Sequence, residues 1–156
     1  MNDQKPNNKA LNTHFLDELK QARIPLVLNP DGSPWEPACL WLLERSRVKP
    51  LKLSSLKSLA QGLRAYNKFL DELEMQWDNF SEDIKYLRPT YFYQTHLRLL
   101  VDSGALQRST GHARLHIVLA FYRFLMQNTQ LGFQPKYPPW QEKVACLEPP
   151  GCKRLK

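Results

Sequence analysis

The stretch "ALQRSTGHARLHIVLAFYRFL", residues 105–125, places Arg or His at 108, 112, 114, 116 and 123 behind the pair Ser109-Thr110, with no acid among them. A second acid-free stretch lies upstream. Between Glu44 and Asp71 fall Arg45, Arg47, Lys49, Lys52, Lys57, Arg64 and Lys68, with Ser54, Ser55, Ser58 and Gln61 interleaved. Cations set among small hydroxyl and amide donors suit the holding of phosphate. The cations neutralise its charge, while hydroxyls, amides and imidazoles donate hydrogen bonds to backbone or base edges. The excess is global as well as local: 22 Lys and Arg against 15 Asp and Glu give a formal charge of +7, which points to an anionic partner.

Other chemistries find less support. The carboxylates Asp71, Glu72 and Glu74 read as a solvated helix end and not as an acid–base pair. Cys39, Cys146 and Cys152 are odd in number and lack metal-ligand spacing, so reduced thiols are expected, with no metal and no cofactor. No apolar run approaches the roughly 20 residues of a spanning helix, and "MNDQKPNNKALNTHF" holds no signal-peptide core. A cytoplasmic protein with no membrane partner and no small-molecule substrate is the expectation.

The elements that must position these cations are helices. At 156 residues the chain suits one domain with a real core. Residues 1–24 read as a flexible polar arm, with a helical turn at "HFLDELKQA". "IPLVLNPDGSPW" reads as a short extended segment and a tight turn. Pro37 suits the first turn of a helix that Lys49-Pro50 stops. A second helix runs from Ser54 to about Met75, on the stripe Leu56, Leu59, Leu63, Tyr66, Leu70 and Leu73. Ser81 reads as the N-cap of a further helix start, and Pro89 as a kink or a fresh beginning. The third helix turns Tyr93, Leu97, Leu100 and Val101 inward and ends at Gly104. The fourth covers about 109–128, with Ser109 and Thr110 at its N-cap and Ile117, Val118, Phe121, Phe124 and Leu125 inward. Residues 131–156 are dense in proline, end basic, and read as a linker or tail.

At about 100° per residue, Lys57, Gln61, Arg64 and Lys68 fall within about 60° of one another, opposite the Leu stripe. On the fourth helix Arg108, His112, His116 and Arg123 fall within about 80°, whereas Arg114 leans toward the core. Each of the two helices thus has one face for the core and another for something negative.

"LQRSTGHARLHIVLAFYRFL" resembles the last helix of the N-terminal core-binding domain of tyrosine recombinases, the phage-integrase family. Thr110, Arg114, Leu115, Phe121, Tyr122, Arg123, Phe124 and Leu125 fall on that family's loose pattern, while Gly111 stands where an aliphatic residue is usual. "SLKSLAQGLRAYNKFLDEL" looks like its other signature helix, and "MQWDNFSEDIKYL" resembles the connector between them. The resemblance covers about residues 25–130.

It implies an all-α fold, a compact SAM-like bundle of about four main helices, with a short extended N-terminal segment and a Pro-rich C-terminal tail. The second and fourth helices would face double-stranded DNA. The expected contacts are Lys52, Ser54, Ser55, Lys57, Ser58, Gln61, Arg64, Lys68, Arg108, Ser109, Thr110, His112 and Arg114. Other recombinase protomers would meet the first and third helices, with Trp41, Tyr91 and Phe92 as candidates. The family's catalytic residues belong to a second domain, and the sequence holds no His-x-x-Arg and no late Tyr in a helical setting. No strand cleavage by this chain is therefore expected, whether it is a piece cut at the interdomain linker or a naturally truncated recombinase. The alternative reading is a helical protein-interaction module that binds an acidic partner. A membrane-surface bundle is weaker, since the cationic faces carry no flank of Trp or Phe for insertion.

Overall fold

The computed structural model describes residues 17–48 and 51–141. Four main helices follow in order: α1 (Glu36–Val48), α2 (Leu53–Glu72), α3 (Pro89–Asp102) and α4 (Arg108–Gln127). Short 3₁₀ turns at Lys85–Leu87 and Thr129–Leu131 flank the last two. Among the described residues there is no strand, only an isolated antiparallel bridge between Leu28 and Pro34. That bridge closes the Asn-Pro-Asp-Gly turn, in which the Gly32 amide donates to the Asn29 carbonyl at 2.9 Å.

The bundle is held by aromatic side chains. Trp35 meets the edge of Phe121 at 5.2 Å, Phe80 meets Tyr122 at 5.2 Å, and Trp77 stacks on Phe133 at 5.9 Å. Two buried phenols satisfy each other in sequence. Tyr122 Oη donates to the Trp77 carbonyl at 2.6 Å, which leaves Tyr66 Oη to donate to Tyr122 at 2.7 Å. Leucines of α2 (Leu56, Leu63, Leu70) are buried in the same core. Val118, Phe121, Tyr122, Phe124 and Leu125 form the buried face of α4; Ile117 is only half-buried, and Tyr122 takes a core position.

α2 and α4 pack closely at Gly62. A Cβ there would lie 2.7 Å from Ile117 Cδ1, so the missing side chain is what lets the two helices pack. Gly111 does the same for α4 against α3, where a Cβ would lie 3.0 Å from Val101 Cγ2. This accounts for glycine at a position where the resemblance leads one to expect an aliphatic side chain.

Several expectations are corrected. Residues 81–84 are not helical: Ser81 closes a turn on Asn79 Oδ1 through its amide at 3.2 Å, and a fresh helix begins at Pro89. Pro89 has no N–H and its ring excludes the α conformation from Arg88, so the helix can only start there. The N-terminal arm is packed over its described part, with residues 17–22 helical and Leu19 fully buried; residues 1–16 lie outside the described residues. Trp41 and Tyr91 are buried core residues, and Phe92 is half-buried against Phe69, which removes the first two as surface contacts.

The proline-dense stretch is also packed as far as it is described. Phe133 and Pro139 are buried, Thr90 Oγ1 donates to the Pro139 carbonyl, and Tyr137 Oη donates to Asp83 Oδ1 at 2.7 Å. Buried Arg88 completes this strap. It donates to the Glu82 and Asp83 carbonyls at 2.9 and 3.2 Å and lies 3.9 Å from the centre of the Tyr137 ring. The rest of the expected tail, 142–156, lies outside the described residues.

Candidate nucleic-acid interface

α2 and α4 each bury one face and expose the other. On α2, Ser54, Ser55, Lys57, Ser58, Gln61, Arg64 and Lys68 are exposed, and Lys52, also exposed, is the N-cap residue. Two of these groups are already engaged: Ser58 Oγ donates to the Ser54 carbonyl at 3.1 Å, and Lys68 pairs with Glu72 at 3.8 Å. An exposed pair at that distance is weak and leaves Lys68 able to exchange partners. On α4, Arg108, Ser109, His112, His116 and Arg123 are exposed.

The starts of these helices add to the same picture. Lys52 and Gln107 are the N-cap residues, neither makes a side-chain cap hydrogen bond, and neither first turn contains an acid. The first-turn amides and the positive end of each helix dipole therefore lack a compensating anion. α1, by contrast, has Glu36 in its first turn, and the start of α3 is buried at Pro89, Thr90 and Tyr91. The expected N-cap role of Ser109 and Thr110 is thus corrected: both lie inside the first turn, with Ser109 exposed and Thr110 half-buried. Gly111 N–H already reaches back to the Gln107 carbonyl at 3.0 Å, which fixes the cap two residues earlier than Ser109.

Arg114 does not join the exposed edge. It is half-buried, about 120° around the helix from Arg108, and its charge acts on the Tyr93 hydroxyl. Burial raises the Tyr93 pKa to about 12, and Arg114 draws it partly back. Of the residues expected to contact DNA on α4, Thr110 and Arg114 are half-buried, about 40° apart around the helix, while Arg108, Ser109 and His112 are exposed.

Two clefts flank α4. One, of about 400 Å³, lies between α1, α2 and α4 and is lined by Trp41, Arg45, Leu59, His116, Ile117 and Arg123, among others. The other, of about 300 Å³, lies between α3 and α4 and brings Arg98 and Asp102 beside Arg108 and His112. Arg45 and Arg98 escaped the sequence reading as site residues. Arg45 belonged to the acid-free run but had no stripe of its own, and Arg98 stands alone on α3.

Among the described residues no three His, Cys, Asp or Glu side chains come together as a metal site, and no helix is long and apolar enough to cross a membrane. Cys39 is buried, with its thiol donating to the Val27 carbonyl at 3.6 Å, and burial pushes that thiol's pKa up. Cys146 and Cys152 lie outside the described residues. Comparison of the chain with protein-family models, with curated proteins and with solved structures returns no match.

Proposed function

We propose that this chain is a helical module that binds duplex DNA through the exposed faces of α2 and α4. One observation carries the reading. α2 and α4, which pack on each other at Gly62, both expose faces rich in cations and small donors, acid-free along α4 and along α2 as far as Lys68, and both start without a side-chain cap or an acidic first turn. Lys52, Lys57, Arg64, Lys68 and Arg108 neutralise phosphates, and Ser54, Ser55, Ser58, Gln61, Ser109, Thr110 and His112 donate hydrogen bonds to backbone or base edges. Arg114 serves the core in this account. The sequence resemblance gives the module its setting: the DNA-binding half of a site-specific recombinase, acting in the cytoplasm, with cleavage left to another domain.

Competition tests the reading against its rival. A labelled duplex of about 30 base pairs bound to the chain should be displaced by unlabelled duplex and resist an equal charge of polyglutamate. Displacement by polyglutamate at equal charge, or no binding of duplex at low salt, would favour the module that binds an acidic protein.

A further inference from the structure

We propose that the cleft between α1, α2 and α4 seats one backbone phosphate of the duplex, with Arg45 as the residue that holds it. This inference rests on the duplex-binding reading and adds α1 to the surface. The cleft is walled by three basic side chains from two helices: Arg45 of α1, and His116 and Arg123 of α4. His116 and Arg123 lie on the same exposed edge of α4 that carries Arg108 and His112, so the cleft continues that edge toward the C-terminal end of the helix.

Arg45 supplies the independent observation. The residue is half-buried, and its Nε is buried with no hydrogen-bond partner among the described residues. A buried donor left unmade on a charged group is costly, so a small turn of the guanidinium that brings this enclosed donor to an acceptor in the cleft is favoured. The planar guanidinium presents neighbouring N–H donors in a fork that matches two phosphate oxygens. Trp41 and Ile117 give the cleft apolar walls, which lower the local dielectric and strengthen a charge-assisted contact.

Among the described residues Glu44 is the one acid of the lining, and it opposes an anion there. Its presence gives the proposal a second, opposite handle. Removal of its charge should help a phosphate, whereas a merely structural role for this corner would make any change there harmful.

The test is fluorescence anisotropy of the labelled duplex across a salt series, with near-UV circular dichroism to confirm each variant's fold. Arg45→Ala should weaken binding about five- to tenfold and reduce the slope of log K against log salt by about 0.9, the value for one lost phosphate. Arg45→Lys keeps the charge but not the fork, so it should keep the slope and lose part of the affinity. Glu44→Gln should tighten binding about two- to threefold at low salt. If Arg45→Ala fails to fold, Arg45→Lys and Glu44→Gln still decide the matter.

Full affinity and slope in Arg45→Ala, with loss in Lys57→Ala/Arg64→Ala, overturns the seat and leaves the duplex reading standing. Weaker binding by Glu44→Gln overturns the seat as well. Absence of duplex binding by the unaltered chain overturns both, and Arg45-dependent binding of polyglutamate would reassign the cleft to a protein carboxylate.

Discussion

Two residues at helix contacts show how one side chain decides between packing and contact with a partner. Gly62 pays the usual helical cost of glycine, about 1 kcal/mol against alanine, because α4 lies too close for a Cβ. Gly62→Ala should recover that propensity but overpack Ile117, for a net loss of about 1 kcal/mol in a denaturant titration. Ile117→Val in the same chain removes the nearest atom and should restore part of the loss. Arg114 makes the complementary case. Because it faces Tyr93, Arg114→Ala should lower stability yet change duplex affinity less than twofold, whereas Arg108→Ala should do the reverse. Equal losses of affinity in the two variants would return Arg114 to the DNA-facing edge.

The elements differ in how well the chain's own chemistry suits them. α2 ends in a Schellman arrangement: the Met75 amide donates to the Leu70 carbonyl at 2.8 Å and the Glu74 amide to Asp71 at 3.0 Å. The left-handed position that this requires is held by Glu74, at φ 52°, where glycine is the favoured residue. Gly104 fills the comparable position after α3, at φ 79°. Glu74→Gly should therefore raise the unfolding midpoint, by about 1 kcal/mol of stability, with no change in fold. The strap at 133–141 is tied to Asp83, whose carboxyl is held below its ordinary pKa by the Tyr137 hydroxyl and then by Lys136. A carboxylate so held contributes stability above the ordinary value of about 3.9, and that contribution is lost as pH falls through the lower folded value. Acid titration followed by tryptophan fluorescence should report a strap transition below about pH 4, and Asp83→Asn should abolish it.

Helices with a strong apolar period were legible in the sequence. The stripe from Leu56 to Leu70 and the Phe-Tyr-x-Phe-Leu close of α4 appear in the structure with boundaries shifted by one to three residues. The exposed faces of α2 and α4 were legible for the same reason, since a fixed core face leaves the cations only one side. Features that depend on distant contacts were not legible. Ser81, followed by acids, has the local chemistry of a helix start, yet Asn79 captures it in a turn and Pro89 sets the real start. Phe133 and Tyr137 look like part of a linker until Trp77, Phe80 and Asp83 supply partners from more than fifty residues away. Arg45 lacked a signal of its own because its significance comes from the cleft it shares with α4.

At the scale of the whole molecule, one aromatic core holds both basic faces. Burial raises the pKa of the Tyr66 and Tyr122 phenols well beyond the ordinary range and that of Tyr93 to about 12. The folded state thus favours the neutral phenols over an unfolded value of about 10. Their contribution to stability is complete below about pH 10 and is lost as pH rises toward 12 and beyond. An alkaline titration should show these tyrosines ionising together with loss of near-UV circular dichroism. Tyrosine ionisation with the near-UV signal intact would contradict the buried pair at the centre of the fold.

The central claim is that duplex DNA lies across the exposed faces of α2 and α4, and amide chemical-shift mapping tests it most directly. With a ¹⁵N-labelled chain titrated with a 30-base-pair duplex at about 0.1 M salt, an ionic strength at which phosphate contacts persist, the largest shifts should fall at Ser54–Lys68 and Arg108–His116. The exposed connector around Tyr86 should stay unmoved. Shifts centred on that connector, or spread evenly over the surface, would contradict the account.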